Sequence, residues 1–297
     1  MLKEFDNCLL NLAWSLWTEL GVAGTKRSHQ HVLILIEELI LFTSVLARTD
    51  PRLRDESLDW CSKFNRFISI SRLKSILKNF GEDVEISFSW YASTLNLLAQ
   101  TKWPVFREAQ PLQVHLSQKS VLRPLESPAL LNIRARGLFG TGARADIIAF
   151  FLTHENEAIS ILEITEEIGY SKRSLAELLD DLHSSNLFTR YSQGNQLRFQ
   201  LNRNSPIFDL LKPVPQYVSW RLIFTVLLAI RNCIVQTKND SASTKVVAIR
   251  NCLSGLEDDL NRLGLVPPSF YNDISSYLET FNDWIINWAK NLSEGKI

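Results

Sequence analysis

The sequence predicts a mainly α fold with one small β-hairpin near its middle. Apolar residues recur at helical spacing through the N-terminal and C-terminal thirds of the 297-residue chain. A single short segment, Gln196 to Leu201, alternates apolar and polar residues as a strand does. Two proline-rich stretches, 103–128 and 206–215, interrupt the helical pattern. They divide the chain into a helical N-terminal domain (1–110), a linker (111–129), a central module (130–205) and a C-terminal three-helix domain (206–297).

In the N-terminal domain, Leu9, Leu10, Ala13, Leu16, Trp17 and Leu20 form a helical stripe that Gly21 and Gly24 end. Val32 to Ala47 is apolar around Glu37-Glu38 and reads either as a short strand followed by a helix or as one buried helix. Asp50-Pro51 places a cap and a first-turn proline at the start of a helix that runs to about Phe64. Ser71 is expected to cap a helix from Arg72 to about Phe80, and Ser89 to Gln100 forms another. The linker is expected to be extended, with one short strand at Leu112 to Leu116. Three C-terminal helices are expected over Tyr217 to Gln236, Thr244 to Leu263 and Phe270 to Leu292.

The central module carries most of the information. Arg144 to Thr153 offers Ile147, Ile148, Phe151 and Leu152 as one buried face. Ser160-Ile161-Leu162-Glu163 has the spacing of a capping box, and Gly169 stops the short helix it opens. Ser171 then caps a third helix with Leu175, Leu178, Leu179 and Leu182 on one side. Two helices joined by so short a turn form a helix-turn-helix. Phe188 to Tyr191 and Gln196 to Leu201 follow as strands around the turn Ser192-Gln193-Gly194-Asn195, with Gly194 and Asn195 expected to supply positive φ. Three helices followed by such a hairpin make a winged helix. Leu197, Phe199 and Leu201 should face inward, with Arg190, Gln196 and Arg198 pointing away from them.

This order, with Pro128-Ala129-Leu130-Leu131, Arg134-Ala135-Arg136-Gly137-Leu138-Phe139-Gly140, Ala143-Arg144-Ala145 and the upstream Trp103-Pro104, resembles a largely uncharacterised family of bacterial winged helix-turn-helix, transcription-regulator-like proteins. The resemblance covers the middle of the chain and implies a regulator-type DNA-binding fold. It supplies no operator, ligand or activity.

In the usual docking of such a module, the third helix enters the major groove and the hairpin lies along the backbone. Ser171, Lys172, Arg173 and Ser174 would then meet the bases and phosphates, with Arg190, Gln196, Arg198 and Arg203 on the wing. Lys63, Arg66, Arg72, Lys74 and Lys78 lie in an acid-free run interleaved with Phe64 and Phe67, a secondary basic patch or a solvated helix face. Arg134 and Arg136 carry the same two readings.

Charge bears on the choice. Lysine plus arginine and aspartate plus glutamate number 32 each, so the chain is neutral and any phosphate-binding surface must be local. Within 143–204, six bases face nine acids and leave a net charge of −3. A DNA reader therefore needs these cations gathered on one acid-free strip. Their dispersal among carboxylates would remove its basis. Two readings follow: a homodimeric regulator of double-stranded DNA, or a non-catalytic adaptor whose winged helix binds a protein partner, such as a subunit of a toxin–antitoxin or defence system.

Other chemistry finds little support. Cys8, Cys61, Cys233 and Cys252 form no CxxC pair and read as reduced thiols of a cytoplasmic protein. His29-Gln30-His31 lacks metal-site spacing. Gly140-Thr141-Gly142 lacks the third glycine of a dinucleotide loop and the lysine of a phosphate loop. The adjacent acids Glu37-Glu38, Asp180-Asp181 and Asp258-Asp259 should diverge on a helix. The apolar run Leu222 to Ile230 is too short for a membrane span. The expectation is a protein with neither enzymatic activity nor cofactor.

Overall fold

The computed structural model describes residues 1–24, 26–202, 204–270 and 273–297. Helices dominate: α1 (Leu2–Leu20), α2 (Ile36–Leu46), α3 (Pro51–Phe64), α4 (Ile70–Leu77) and α5 (Glu82–Ala99) precede an irregular stretch. The middle holds α6 (Leu131–Phe139), α7 (Ala143–Thr153), β1 (Ile159–Ser160), α8 (Ile161–Ile168), α9 (Lys172–Ser184), β2 (Phe188–Gln193) and β3 (Gln196–Leu201). Then come α10 (Ile207–Leu211), α11 (Trp220–Gln236), α12 (Ala242–Gly255), α13 (Glu257–Arg262) and α14 (Ile274–Ser293). Helical stretches thus flank one small antiparallel sheet of order β1-β3-β2.

Helix α2 lies at the centre because it is apolar on nearly every side, and every residue of it except Val45 is buried. It packs on α1, α3, α4, α5 and α11. Phe42 stacks on Phe224 of α11 with ring centroids 4.2 Å apart. Of the two readings of Val32 to Ala47, the strand-then-helix form is closer: Val32 makes a single parallel bridge to Gln216 before α2 begins. Trp220 closes this junction by donating its indole N–H to the Leu33 carbonyl at 2.8 Å.

Several local signals act as read. Gly21 caps α1 in the left-handed region at φ 111°. Asp50 accepts the Leu53 amide at 3.0 Å, and α3 ends at Phe64. Other boundaries move. Ser69, not Ser71, caps α4, because its hydroxyl accepts the Arg72 amide at 3.3 Å. Helix α5 starts at Glu82, earlier than expected, with Glu82, Asp83 and Glu85 suiting the positive end of its dipole. The C-terminal region forms α11, α12, α13 and α14 after the short α10, since Gly255 and Leu256 divide the expected second helix. The expected start of the last helix falls partly on residues 271 and 272, outside the described residues; α14 opens at Ile274 under an Asp273 cap.

No strand forms at Leu112 to Leu116. Side chains of α3 and α5 take the backbone bonds instead: Leu112 donates to Thr94 Oγ1 at 2.8 Å and His115 to Asp55 Oδ2 at 3.0 Å. Further along, Ser120 donates to Asp59 Oδ2 at 3.1 Å. Bonds to side chains satisfy the backbone without a ladder. Among the described residues, no helix is long and apolar enough to cross a membrane.

Candidate functional site

The middle of the chain builds two surfaces from the same short elements. Helix α8 opens on a complete capping box, in which Ser160 Oγ accepts the Glu163 amide at 3.3 Å and Glu163 accepts the Ser160 amide at 2.7 Å. Gly169 ends α8 at φ 74°, where a Cβ would also overlap Ile76 Cγ2 of α4. The α8–α9 turn therefore sits directly on the N-terminal lobe. Ser171 caps α9 by accepting the Ser174 amide at 3.2 Å, while Leu175, Leu179 and Leu182 are buried.

The hairpin corrects two expectations. Strand β2 runs to Gln193, which leaves Gly194-Asn195 as a two-residue turn, and only Gly194 has positive φ, at 58°. The register sets Phe188 opposite Leu201 and Arg190 opposite Phe199. Arg190 therefore shares the face of Phe188, Phe199 and Leu201 rather than pointing away from it, as the two-residue period counted from Phe188 requires. Toward α9 it meets Asp180 at 3.0 Å. Strand β1, which pairs Ile159 with Phe199 and Ser160 with Arg198, had no sequence signal of its own, because its two residues double as the lead into α8.

Most of the expected contact residues are exposed, and three of their cations meet carboxylates. Ser171, Lys172, Arg173 and Ser174 all reach solvent on the first turn of α9. Arg173 pairs with Glu177 at 3.0 Å, with side chains 91% and 69% exposed. Arg198 donates to the Ala158 carbonyl at 2.8 Å and lies 3.4 Å from Glu163. Gln196 is exposed at the hairpin turn, and Arg203 lies outside the described residues. Lys172 makes no ion pair among the described residues. Among the described residues, Arg173, Arg190 and Arg198 are interleaved with carboxylates.

The secondary basic patch loses Arg72 to the interior. Lys63 is tied to Asp59 at 3.1 Å and to the Ser120 carbonyl at 3.3 Å, and Arg66 lies over the Phe67 ring at 4.7 Å. Arg72 is buried. Lys63, Arg66, Lys74 and Lys78 stay exposed, the last two on α4 and its C-terminal cap.

Beneath the module lies a buried charge network. Arg72 and Arg136 have side chains 1% and 0% exposed. Arg72 donates to Glu37 at 2.8 Å, to both carboxylate oxygens of Glu38, and to the Ile168 carbonyl at 2.8 Å. Arg136 holds Asp146 through two bonds of 2.8 and 2.9 Å and Glu37 through two more of 2.7 and 3.0 Å. Glu37 and Glu38 thus do not diverge; the branched guanidinium of Arg72 is wide enough to bridge both.

Three carboxylates face two guanidiniums, and neutral donors offset the excess. Asn132 and Tyr170 donate to Asp146 at 3.0 and 2.8 Å, and the Ser69 amide donates to Glu37 at 2.6 Å. Burial opposes ionisation of Asp146, but Arg136, Arg72 and Tyr170 outweigh it and hold the carboxyl below its ordinary range. Burial, reinforced by the neighbouring Asp146 charge, pushes the Tyr170 phenol well up. The network joins α2, α4, α6 and α7 to the α8–α9 turn. Its arginines and carboxylates are enclosed and paired with one another, so it fastens the module to the N-terminal lobe.

A signal for it existed: Glu37-Glu38 inside an apolar run demands buried counter-charges. Which arginines supply them depends on contacts about 35 and 99 residues away in sequence, which local reading does not reach. Among the described residues, no group of three or more His, Cys, Asp or Glu is placed to hold a metal ion. No family model, curated protein or solved structure matches the chain.

Proposed function

We propose that the central region is a winged helix-turn-helix and that it serves as a non-catalytic docking module for a protein partner. The order α7-β1-α8-α9-β2-β3 and the sheet order β1-β3-β2 support the module's identity. The observation that carries the function is the pairing of Arg173, Arg190 and Arg198 with Glu177, Asp180 and Glu163. A phosphate approaching any of these cations meets a carboxylate beside it, which counters the counterion release that drives DNA binding. Apolar groups are also exposed on these elements: Leu162, Tyr191 and Leu197 remain 52%, 44% and 40% exposed, with Tyr191 and Leu197 on opposite faces of the hairpin. Aromatic and aliphatic groups beside locally neutralised charge suit a protein interface.

One observation favours a second reading. Ser171, Lys172, Arg173 and Ser174 are exposed at the start of α9, where a winged helix meets the major groove. Lys74 lies on α4, against which the α8–α9 turn packs, and Lys78 is its C-terminal cap. Exposed ion pairs are worth roughly 0–1 kcal/mol, so Arg173 exchanges Glu177 for phosphate at small cost. In this reading the chain pairs two half-sites as a homodimer.

Duplex binding measured against salt separates the two. The docking reading expects no binding above background at about 50 mM salt, whereas a DNA reader loses affinity steeply as salt rises. Double substitution Lys172→Ala and Arg173→Ala would then flatten the slope by about one per lost phosphate contact. For the docking reading, co-expression with the product of the adjacent gene should give a complex that Tyr191→Ala with Leu197→Ala disrupts while the fold persists. Salt-sensitive duplex binding without such a complex would reverse the assignment.

A further inference from the structure

Two cysteines far apart in sequence meet in the C-terminal helices. Cys233 lies in the last turns of α11 and Cys252 near the end of α12, and these helices pack side by side. The Cys252 thiol lies 3.8 Å from the Ala229 carbonyl. In an α-helix that carbonyl accepts the amide of Cys233 itself, so Cys252 reaches the very turn that carries the other thiol. Both thiols are partly exposed, whereas Cys61 is fully buried against Tyr91.

We propose that Cys233 and Cys252 form a redox-active dithiol that a small hydroperoxide oxidises to a disulfide, linking α11 to α12. The bond to the Ala229 carbonyl divides the labour. Engagement of the Cys252 S–H by that carbonyl, together with burial, holds Cys252 in its protonated form, while its neighbour Cys233 is held below the ordinary thiol range. Cys233 is therefore the first nucleophile, since the thiolate is the reactive form.

The Cys233 thiolate attacks the terminal peroxide oxygen. The O–O bond breaks, its electron pair leaves on the alkoxide or hydroxide, and that anion takes up the proton Cys233 gave up. Cys233 becomes a sulfenic acid. The Cys252 sulfur then attacks the Cys233 sulfur, the S–O bond breaks, and the departing hydroxide leaves as water with the Cys252 proton. One hydroperoxide and two thiols thus give one disulfide, one alcohol or water from the first step, and one water from the second. The dithiol is oxidised by two electrons and the peroxide reduced by two.

The spacing of these cysteines gave no warning, because they resemble neither a CxxC motif nor a metal set. Packing of two amphipathic helices brings them together. Tryptic mapping of the full chain after treatment with hydrogen peroxide tests the proposal. The expected product is one intramolecular Cys233–Cys252 cross-linked peptide, about two mass units lighter than the reduced pair and restored by dithiothreitol. Cys252→Ser should leave Cys233 as a sulfenic acid that dimedone labels, and Cys233→Ser should sharply reduce labelling at residue 252. The wild-type mapping does not depend on either variant folding. If both thiols remain fully alkylatable at peroxide levels that oxidise free cysteine, or if the cross-link joins different cysteines or different chains, the assignment is overturned.

Discussion

The inner and outer surfaces of the central module use the same chemistry with opposite consequences. On the inner side, Arg72 and Arg136 are sealed against Glu37, Glu38 and Asp146. On the outer side, Arg173 and Arg190 pair with Glu177 and Asp180 in water. Outside, solvent competes for every bond and the pairs are loosely held. Inside, each guanidinium has given up its hydration, and losing a partner strands a charge that has nowhere to go. Rigid attachment therefore comes from the inner arginines, while the outer ones remain free to rearrange against a partner.

The contrast is broken most severely at Arg136. Arg136→Ala leaves Asp146 and one face of Glu37 uncompensated and should cost about 3–5 kcal/mol of folding stability in urea unfolding. A loss below about 1 kcal/mol would show that water reaches the network.

A buried group that avoids charge altogether sharpens the comparison. His29 lies between Ser15 Oγ at 2.7 Å and the Leu292 carbonyl at 2.8 Å, and burial lowers its pKa from 6.5 to about 4. Since the folded chain takes up the proton later than the unfolded one, stability is full above about pH 6.5 and falls as pH drops toward 4. The loss attributable to His29 should approach about 3 kcal/mol by the lower limit. Comparing unfolding of wild type and His29→Gln across this range isolates that contribution; parallel pH profiles would contradict it.

Within the network, Tyr170→Phe removes one donor to Asp146 and should cost about 1–2 kcal/mol, less than loss of an arginine because the ion pairs persist. The smallest effect belongs to the outer surface. Arg173→Ala should leave the thermal midpoint unchanged within error, and a shift comparable to that of Tyr170→Phe would erase the distinction between the two sides.

Legibility followed distance along the chain. The capping box at Ser160 and Glu163, the stop at Gly169 and the Asp50-Pro51 start depend on neighbours within one turn, and the residues themselves carry the instruction. Arg190 was misplaced although its face follows from simple alternation, because its charge suggested solvent where its parity suggested α9. Arg72 shows the larger limit. In sequence it belongs to a basic run with Lys63, Lys74 and Lys78, and only tertiary packing turns it inward toward Glu37, Glu38 and the Ile168 carbonyl. The outward-facing residues were readable as exposed, but their pairing with Glu177, Asp180 and Glu163 needed the register and the helix positions.

The bond from His29 to Leu292 spans 263 residues, and α14 lies along α1. That closure has a consequence for synthesis. During synthesis α1 precedes α14, and it cannot bury the face it shares with α14 until that helix follows. Until then that face of α1 stays uncovered, so a chain stalled before α14 is a substrate for chaperones and proteases rather than a smaller working protein.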